Sequence, residues 1–235
     1  MAISIVIPAH NEERNIRTTL NKIIRTMSSP YEIVVVDDHS EDDTARIVKE
    51  FAKKNDFVKL IHNYRPKGFS NGLITGFENT NGEVVVPVMA DLCDDPRTIE
   101  TMFNKAREGY DIICGSRYME GGRKIGGPLL QSFFSRFVGF TLHWITGIPT
   151  YDVPNAFKMY RKKLLDSLKI HEAGFAVSMQ ITLKAFFKGC WITEVPTTWK
   201  SRAVGKSSFR IFRQAKDYSY WYFWAILKCL LRKRY

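Results

Sequence analysis

Short apolar runs rich in valine and isoleucine alternate, through the first half of the chain, with stretches whose apolar positions recur every three or four residues. Residues 3–7, 32–36, 57–61, the run starting at Val84 and residues 111–114 carry the first pattern. Runs of this length and β-branching read as buried strands. Between them, Ile16, Leu20, Ile23, Ile24 and Met27 mark one helical face, and Ala45, Ile47, Val48 and Phe51 a second. Residues 67–79 give a weaker helix, diluted by Gly68, Gly72 and Gly76, and residues 96–108 a fourth. Asn11 is the predicted N-cap of the first helix, with Glu12 and Glu13 in its first turn. Ser40 followed by Asp43 resembles a capping box for the second.

This alternation predicts an α/β fold, a mostly parallel sheet flanked by helices. Right-handed crossovers bring the turns that follow the strands to one sheet edge. Residues 8–12, 37–38 and 91–95 are therefore expected to meet in space.

The second half is less regular. Residues 121–128 form a glycine-rich loop with basic Arg123 and Lys124, without the spacing of a phosphate loop. Residues 133–145 read as a strongly apolar helix, either core or a membrane-facing wall, and core is the expectation. A strand over 152–160, a helix over 174–187 and a final strand over 190–195 complete the domain, which is placed at residues 1–208. The remainder, 209–235, reads as a basic, aromatic, amphipathic helix. Aromatics flanked by Lys and Arg suit a helix lying in the headgroup region of a membrane; the alternative is docking on the sheet or on a second subunit.

Charge sharpens this picture. The net charge is +11, and from Lys200 onward ten basic residues face Asp217 alone, which leaves +9 in the tail. Such a tail points to a polyanionic partner: a membrane surface, a phosphorylated substrate or nucleic acid. No helix-turn-helix, zinc or RNP-type pattern is present, so no nucleic acid is expected. Cys93, Cys114, Cys190 and Cys229 have no CxxC spacing, which argues against a zinc site or a disulfide framework. Residues 1–8 lack a basic leader pattern, and no stretch reaches the ~20 apolar residues of a span. The expected location is cytoplasmic, peripheral on the cytoplasmic face of a membrane.

Candidate chemistry centres on Asp91, Asp94 and Asp95, at the end of the run starting at Val84. Open α/β sheets place their ligands at the carboxyl ends of strands. Acids so close repel one another, and a divalent cation holding an anionic substrate relieves the repulsion. The competing reading is a helix N-terminus, with Asp94 and Asp95 complementing the dipole of a helix that starts at Pro96. Asp37-Asp38 is equally compatible with ordinary turn chemistry. Three acid-bearing turns along one edge favour a site.

Six segments then carry a family resemblance: Pro8-Ala9-His10-Asn11-Glu12, Val36-Asp37-Asp38-His39-Ser40-Glu41-Asp42-Asp43-Thr44, Ala90-Asp91-Leu92, Gly115-Ser116-Arg117-Tyr118 with Gly121-Gly122, residues 152–161, and Arg202-Ala203-Val204-Gly205-Lys206-Ser207. In this order they resemble a family-2 glycosyltransferase of the Rossmann-like GT-A fold, and within it the polyprenyl (dolichol) phosphate sugar synthases. The resemblance covers roughly residues 3–210. It departs from the pattern at Met89, where the metal motif usually begins with aspartate, at Cys93, where an amide is usual, and at Ser208.

The resemblance implies an inverting transfer of a hexose, mannose or glucose, from a nucleotide-diphosphate sugar to a polyprenyl phosphate. Donor binding would fall to Pro8, His10, Glu12, Asp37, Asp38, Ala90, Asp91, Arg202 and Lys206. Mg²⁺ or Mn²⁺ would be held by Asp91 and Asp94. Asp91, Arg117 and Asp152 would be catalytic, and Arg117, Gln131 and Ser135 would meet the acceptor. A hydroxyl acceptor would require a base, for which Asp94, Asp95 and Asp152 are the candidates. The alternatives are such a glycan or glycolipid transferase and a sugar-nucleotide-binding protein that has lost its chemistry. A homo-oligomer also stays open.

Overall fold

The computed structural model describes residues 1–202 and 211–232. In chain order the first half contains β1 (Ile3–Ala9), α1 (Ile16–Thr26), β2 (Tyr31–Asp37), α2 (Thr44–Ala52), β3 (Val58–His62), α3 (Phe69–Glu78), β4 (Val84–Pro87), α4 (Thr98–Arg107) and β5 (Ile112–Ser116). The second half contains β6 (Arg123–Ile125), α5 (Leu129–Thr146), β7 (Lys158–Arg161), α6 (Lys162–Ser167), α7 (Val177–Phe187), β8 (Ile192–Pro196), β9 (Thr198–Lys200) and α8 (Ile211–Arg232). A short 3-10 turn, Gly174–Ala176, leads into α7.

Seven strands form one sheet in the order β3-β2-β1-β4-β7-β5-β8. All its pairings are parallel except those of β7, which runs antiparallel to both β4 and β5. The α/β expectation holds, and the near-continuous burial of β1, β2 and β4 follows from a sheet covered on both faces. One apolar layer joins Ile5, Ile33 and Val86 to Leu20, Ile47, Ile99 and Met102 of α1, α2 and α4. The opposite layer joins Val6, Val34 and Val85 to Leu73, Phe77, Met179, Leu183 and, from α8, Trp221 and Ala225. Gly76 of α3 has a backbone reason: a Cβ there would stand 2.3 Å from Val6 Cγ1, so glycine lets α3 lie against the sheet.

Several expectations are corrected. The strand expected over 152–160 shrinks to β7, because the preceding residues form a turn clasped by the buried Lys158 ammonium, which donates to Val153 O at 2.8 Å, to Asn155 O and to Ser178 Oγ. The loop over 121–128 contains β6, which pairs in parallel with β9, so β8 is not the final strand. Three-residue strands are too short to show a period of two, which is why both were missed. α1 begins at Ile16, and Asn11 instead has a left-handed backbone (φ 53°) and accepts from Glu41 N–H. Ser40 does not cap α2; its hydroxyl accepts from Asn11 N–H.

α5 is the largest correction. It was expected in the core, yet only Gly139 and Leu142 are buried, while Leu129, Phe133 and Trp144 are 87%, 64% and 79% exposed. The helix has an apolar stripe, Leu129, Phe133, Phe137 and Trp144, but that stripe faces outward and the side carrying Gly139 and Leu142 packs inward, so the usual inference from an apolar stripe to a buried face fails here. Gly139 sets that face, since a Cβ there would meet the Tyr151 carbonyl at 2.0 Å. α8 packs beside α5, with Tyr222 Oη donating to Thr141 Oγ1 (3.0 Å) and Trp221, Ala225 and Cys229 turned inward. Its other face leaves Tyr220, Phe223, Leu227, Leu230 and Leu231 exposed. The docked reading of the tail holds for its inward face. The boundary placed at 208/209 lies outside the described residues.

Candidate active site

The turns that follow β1, β2 and β4 do converge. Asp38 N–H donates to Ala9 O (2.8 Å), and Thr19 Oγ1 on α1 donates to Ala90 O (2.5 Å). The first two turns are also stitched together by side chains. Glu12 N–H donates to Thr44 Oγ1 (2.8 Å), Glu13 N–H to Asp42 Oδ2 (3.1 Å) and Asp43 N–H to Glu13 Oε2 (3.2 Å). The Ser-x-Asp-x-Thr segment at 40–44 therefore works as a brace, satisfying backbone donors of the turn after β1. Among the described residues, the non-glycine residues with left-handed backbones are Asn11, His39 and Leu92. One lies in each of these turns. Such backbones concentrate where surrounding structure holds a functional geometry in place.

The expected donor residues line this edge in different ways. Pro8 is buried at the end of β1 against Gly72, whose Cβ would come 3.6 Å from the proline Cβ. His10 Nδ1 lies 3.0 Å from the Asp38 carbonyl, which makes it the protonated ring nitrogen. Asp37 faces His62 Nδ1 at 3.2 Å, and its other oxygen accepts from Ser40 N–H. Asp38 is committed to structure: it accepts from Asn63 Nδ2 (2.7 Å) and from Gly68 N–H (2.9 Å), anchoring the loop before α3. Lys206 lies outside the described residues.

The acidic centre joins the same edge through Arg202. Its Nη2 stands 2.6 Å from Asp91 Oδ2, and its Nη1 3.7 Å from Glu12 Oε1. Burial raises the Glu12 pKa, and Asp91 adds to the effect while Arg202 and Asn15 oppose it. Asp91 Oδ1 accepts from Cys93 N–H at 3.2 Å. Asp94 is buried, its Oδ1 has no hydrogen-bond partner among the described residues, and burial with the nearby Asp91 and Asp152 carboxylates pushes its pKa up to about 7. Asp95 turns away, paired with Arg97 at 2.6 Å. Burial, with the neighbouring Asp91 and Asp94, pushes the Cys93 thiol up, so it stays protonated and is a poor ligand for a hard cation.

A divalent cation fits Asp91 and Asp94. Asp91 carries a guanidinium as a stand-in cation, and Asp94 an orphaned buried oxygen whose ionisation the Asp91 carboxylate opposes. No cluster of three metal-ligating side chains occurs among the described residues. Mg²⁺ bound through one or two carboxylates completes its shell from substrate phosphates and water.

Arg117 and Asp152 form the second centre. Asp152 is wholly buried and accepts from Arg117 Nε (2.7 Å), Nη2 (2.7 Å) and N–H (3.0 Å), a bidentate fork. Both carboxylate oxygens are thereby engaged by Arg117, which fixes the orientation of the guanidinium. Ser135 Oγ on α5 hydrogen-bonds Tyr118 Oη at 2.5 Å, and the Arg117 guanidinium lies 5.1 Å from the centre of the Tyr118 ring. Gln131 sits one turn earlier on α5, half-buried.

Sequence reasoning passed over Lys124 and Trp199 as site residues. Lys124 on β6 stands over the Trp199 ring of β9, 5.0 Å from its centre. Trp199 in turn bridges to Asp94, and Lys200 N–H donates to Cys93 O (2.7 Å). The β6–β9 ribbon thus fastens onto the acidic loop. Only the glycine-flanked basic pair Arg123-Lys124 hinted at it.

Residues 4–169 match the model of glycosyl transferase family 2, and the chain belongs to that family. Among curated proteins it is 33% identical to a dolichol-phosphate mannosyltransferase from Pyrococcus furiosus, over 89% of this chain and 60% of that protein. It is 25% identical to a polyprenol monophosphomannose synthase from Mycolicibacterium smegmatis, over 86% of this chain and 79% of that one. The chain thus spans about three fifths of the length of the Pyrococcus relative. The fold matches glucosyl-3-phosphoglycerate synthase from Mycobacterium tuberculosis, solved with Mn²⁺ and uridine diphosphate, with a TM-score of 0.72 at 19% identity, covering 97% of this chain and 80% of that one.

Proposed function

We propose that the protein transfers a hexose from a nucleotide-diphosphate sugar to a polyprenyl phosphate, with inversion at the anomeric carbon. The observation that carries this reading is the placement of two arginines: Arg202 against the Asp91–Glu12 acids at the donor edge, and Arg117, fixed by Asp152, beside the exposed apolar helix α5. An arginine oriented by a buried carboxylate is a preformed anion site that costs no reorganisation when substrate arrives. The two curated relatives are named a dolichol-phosphate mannosyltransferase and a polyprenol monophosphomannose synthase, which supports the reading.

In this reading Glu12 and Asp37 accept hydrogen bonds from the nucleoside and Pro8 packs against it. Mg²⁺ or Mn²⁺ held by Asp91 and Asp94 would neutralise charge on the departing diphosphate. An oxygen of the acceptor phosphate attacks the anomeric carbon in line, a new sugar–phosphate bond forms, and the bond to the nucleoside diphosphate breaks. A phosphate monoester is already ionised near neutral pH, with its second pKa at about 6. No general base is required, which agrees with an Asp152 whose oxygens are both engaged. Ser135 and Gln131, on the first turns of α5, stand beside the path to the acceptor.

The exposed faces of α5 and α8 supply the approach to lipid. No described helix is long and apolar enough to cross a membrane, and we assign these faces to peripheral binding on the cytoplasmic side. Exposed Arg136, Lys216 and Lys228 flank the apolar residues and suit anionic headgroups.

Incubating the protein with labelled GDP-mannose, UDP-glucose and related donors plus polyprenyl phosphate in detergent, with Mn²⁺ or EDTA, tests the reading. Label in the lipid phase, lost in Asp91→Asn, is expected and names the donor. Donor hydrolysis without lipid product would shift the assignment to a hydroxyl acceptor.

A further inference from the structure

Lys124 is an unexplained charge. Its ammonium is buried, yet no described residue accepts a hydrogen bond from it and no described carboxylate pairs with it. The side chain is set in place from three sides. Trp199 lies beneath it, Gly127 closes over its stem with a Cβ position 3.7 Å from Lys124 Cε, and β6 and β9 hold the two backbones in register, Lys124 opposite Trp199. A desolvated ammonium without an acceptor is costly to keep charged. Its pKa is accordingly pushed down to about 8, by burial first and by the like charge of Arg117, with Asp152 opposing. Asp152 neutralises Arg117 through its fork, so Lys124 is left as the cation with no counter-ion of its own.

The location says which anion fits. On one side the β6–β9 ribbon is bonded to the loop of Asp94, where donor chemistry is placed. On the other, the chain passes through Gly126-Gly127-Pro128 directly into α5 and its exposed Leu129, Leu130 and Phe133. Lys124 thus lies between the acidic loop and the apolar helix, near enough to Arg117 for the two charges to repel each other.

We propose that Lys124 binds the phosphate of the acceptor, acting with Arg117 as a two-cation clamp while Trp199 holds the lysine stem. The assignment rests on the phosphate-acceptor reading of the site. The phosphate could instead belong to the donor's diphosphate, and the two sources separate experimentally.

The experiment compares wild type, Lys124→Met and Lys124→Arg by calorimetric titration with farnesyl monophosphate and, separately, with nucleoside diphosphate plus Mn²⁺, and by steady-state transfer to the same monophosphate. Methionine keeps the apolar stem over Trp199. In Lys124→Met the dissociation constant for the monophosphate should rise about ten- to a hundredfold, the range carried by one lost hydrogen bond to a charged group. Nucleoside diphosphate affinity should hold, which also shows that the variant is folded, and Lys124→Arg should recover much of the loss. Unchanged monophosphate binding in Lys124→Met, with transfer intact, overturns the assignment alone. A loss confined to nucleoside diphosphate overturns it in favour of the donor. A wild-type protein that binds nucleoside diphosphate but neither binds nor glycosylates the monophosphate overturns the acceptor reading itself.

Discussion

Arg202 Nη2 lies 2.6 Å from Asp91 Oδ2, so a guanidinium occupies the carboxylate on which a divalent cation would depend. A divalent cation held at Asp91 would compete with this guanidinium for one oxygen. Removing the guanidinium should make the acidic centre a better metal site while depriving the reaction of a phosphate-binding charge. Arg202→Met is therefore expected to bind Mn²⁺ more tightly than wild type in the absence of donor, by about tenfold for a competing charge contact of roughly 1.4 kcal/mol. Its transfer activity should fall at the same time. Electron paramagnetic resonance titration of free Mn²⁺ reads the first effect, and equal or weaker binding in the variant would refute competition at Asp91.

Breaking the Arg117–Asp152 fork should be expensive in stability as well as activity. Asp152 is wholly buried and Arg117 nearly so, and removing one partner of such a pair strands the other charge at a cost of about 3–5 kcal/mol. Asp152→Ala should lower the urea midpoint accordingly. Arg117→Lys keeps the charge but loses the fork, and its transfer rate should fall further than its stability does. A urea midpoint for Asp152→Ala equal to wild type would show that the pair carries no such weight.

The pH profile follows from Lys124. Its pKa in the folded protein, about 8, lies below the 10.5 of a free lysine, so it is protonated below pH 8 and loses its charge as pH rises through that value. The groups facing it are Arg117 and Asp152. Arginine does not titrate in this range, and a phosphate monoester is already dianionic above a pKa of about 6. The kcat/KM for acceptor should therefore decline above pH 8 in wild type. In Lys124→Arg that alkaline limb should move out of reach. An identical limb in both proteins would place the titrating group elsewhere.

The parallel half of the fold was legible because its strands are buried on both faces and its helices are amphipathic, so both periods survive in the residues: β1, β2 and β4 as mostly apolar runs, α1 and α2 as spaced ones. The convergence of the turns after β1, β2 and β4 followed from the handedness of the crossovers. What stayed hidden depended on packing between distant segments. β6 and β9 exist only because they pair with each other across some seventy residues of chain. The commitment of Asp38 to Gly68 and Asn63 depends on where α3 begins. The exposed side of α5 is decided at Gly139, where a side chain would collide with the Tyr151 carbonyl.

That exposed side carries the last prediction. Leu129, Phe133, Phe137 and Trp144 on α5 and Phe223, Leu227 and Leu230 on α8 stand open to solvent on neighbouring helices. Fully burying one such side chain is worth about 1.5–3 kcal/mol, and a patch of several would be a liability unless something apolar covers it. If the cover is lipid, the protein should sediment with vesicles containing anionic phospholipid, and salt should weaken but not abolish the binding, because the apolar share is not screened. Trp144→Asp combined with Phe223→Asp should reduce vesicle partitioning on the order of tenfold or more while leaving nucleoside diphosphate affinity unchanged. The same double variant should keep its activity toward a water-soluble short-chain monophosphate and lose it toward long-chain acceptor in vesicles. Undiminished vesicle binding would mean that these two helices face something other than lipid.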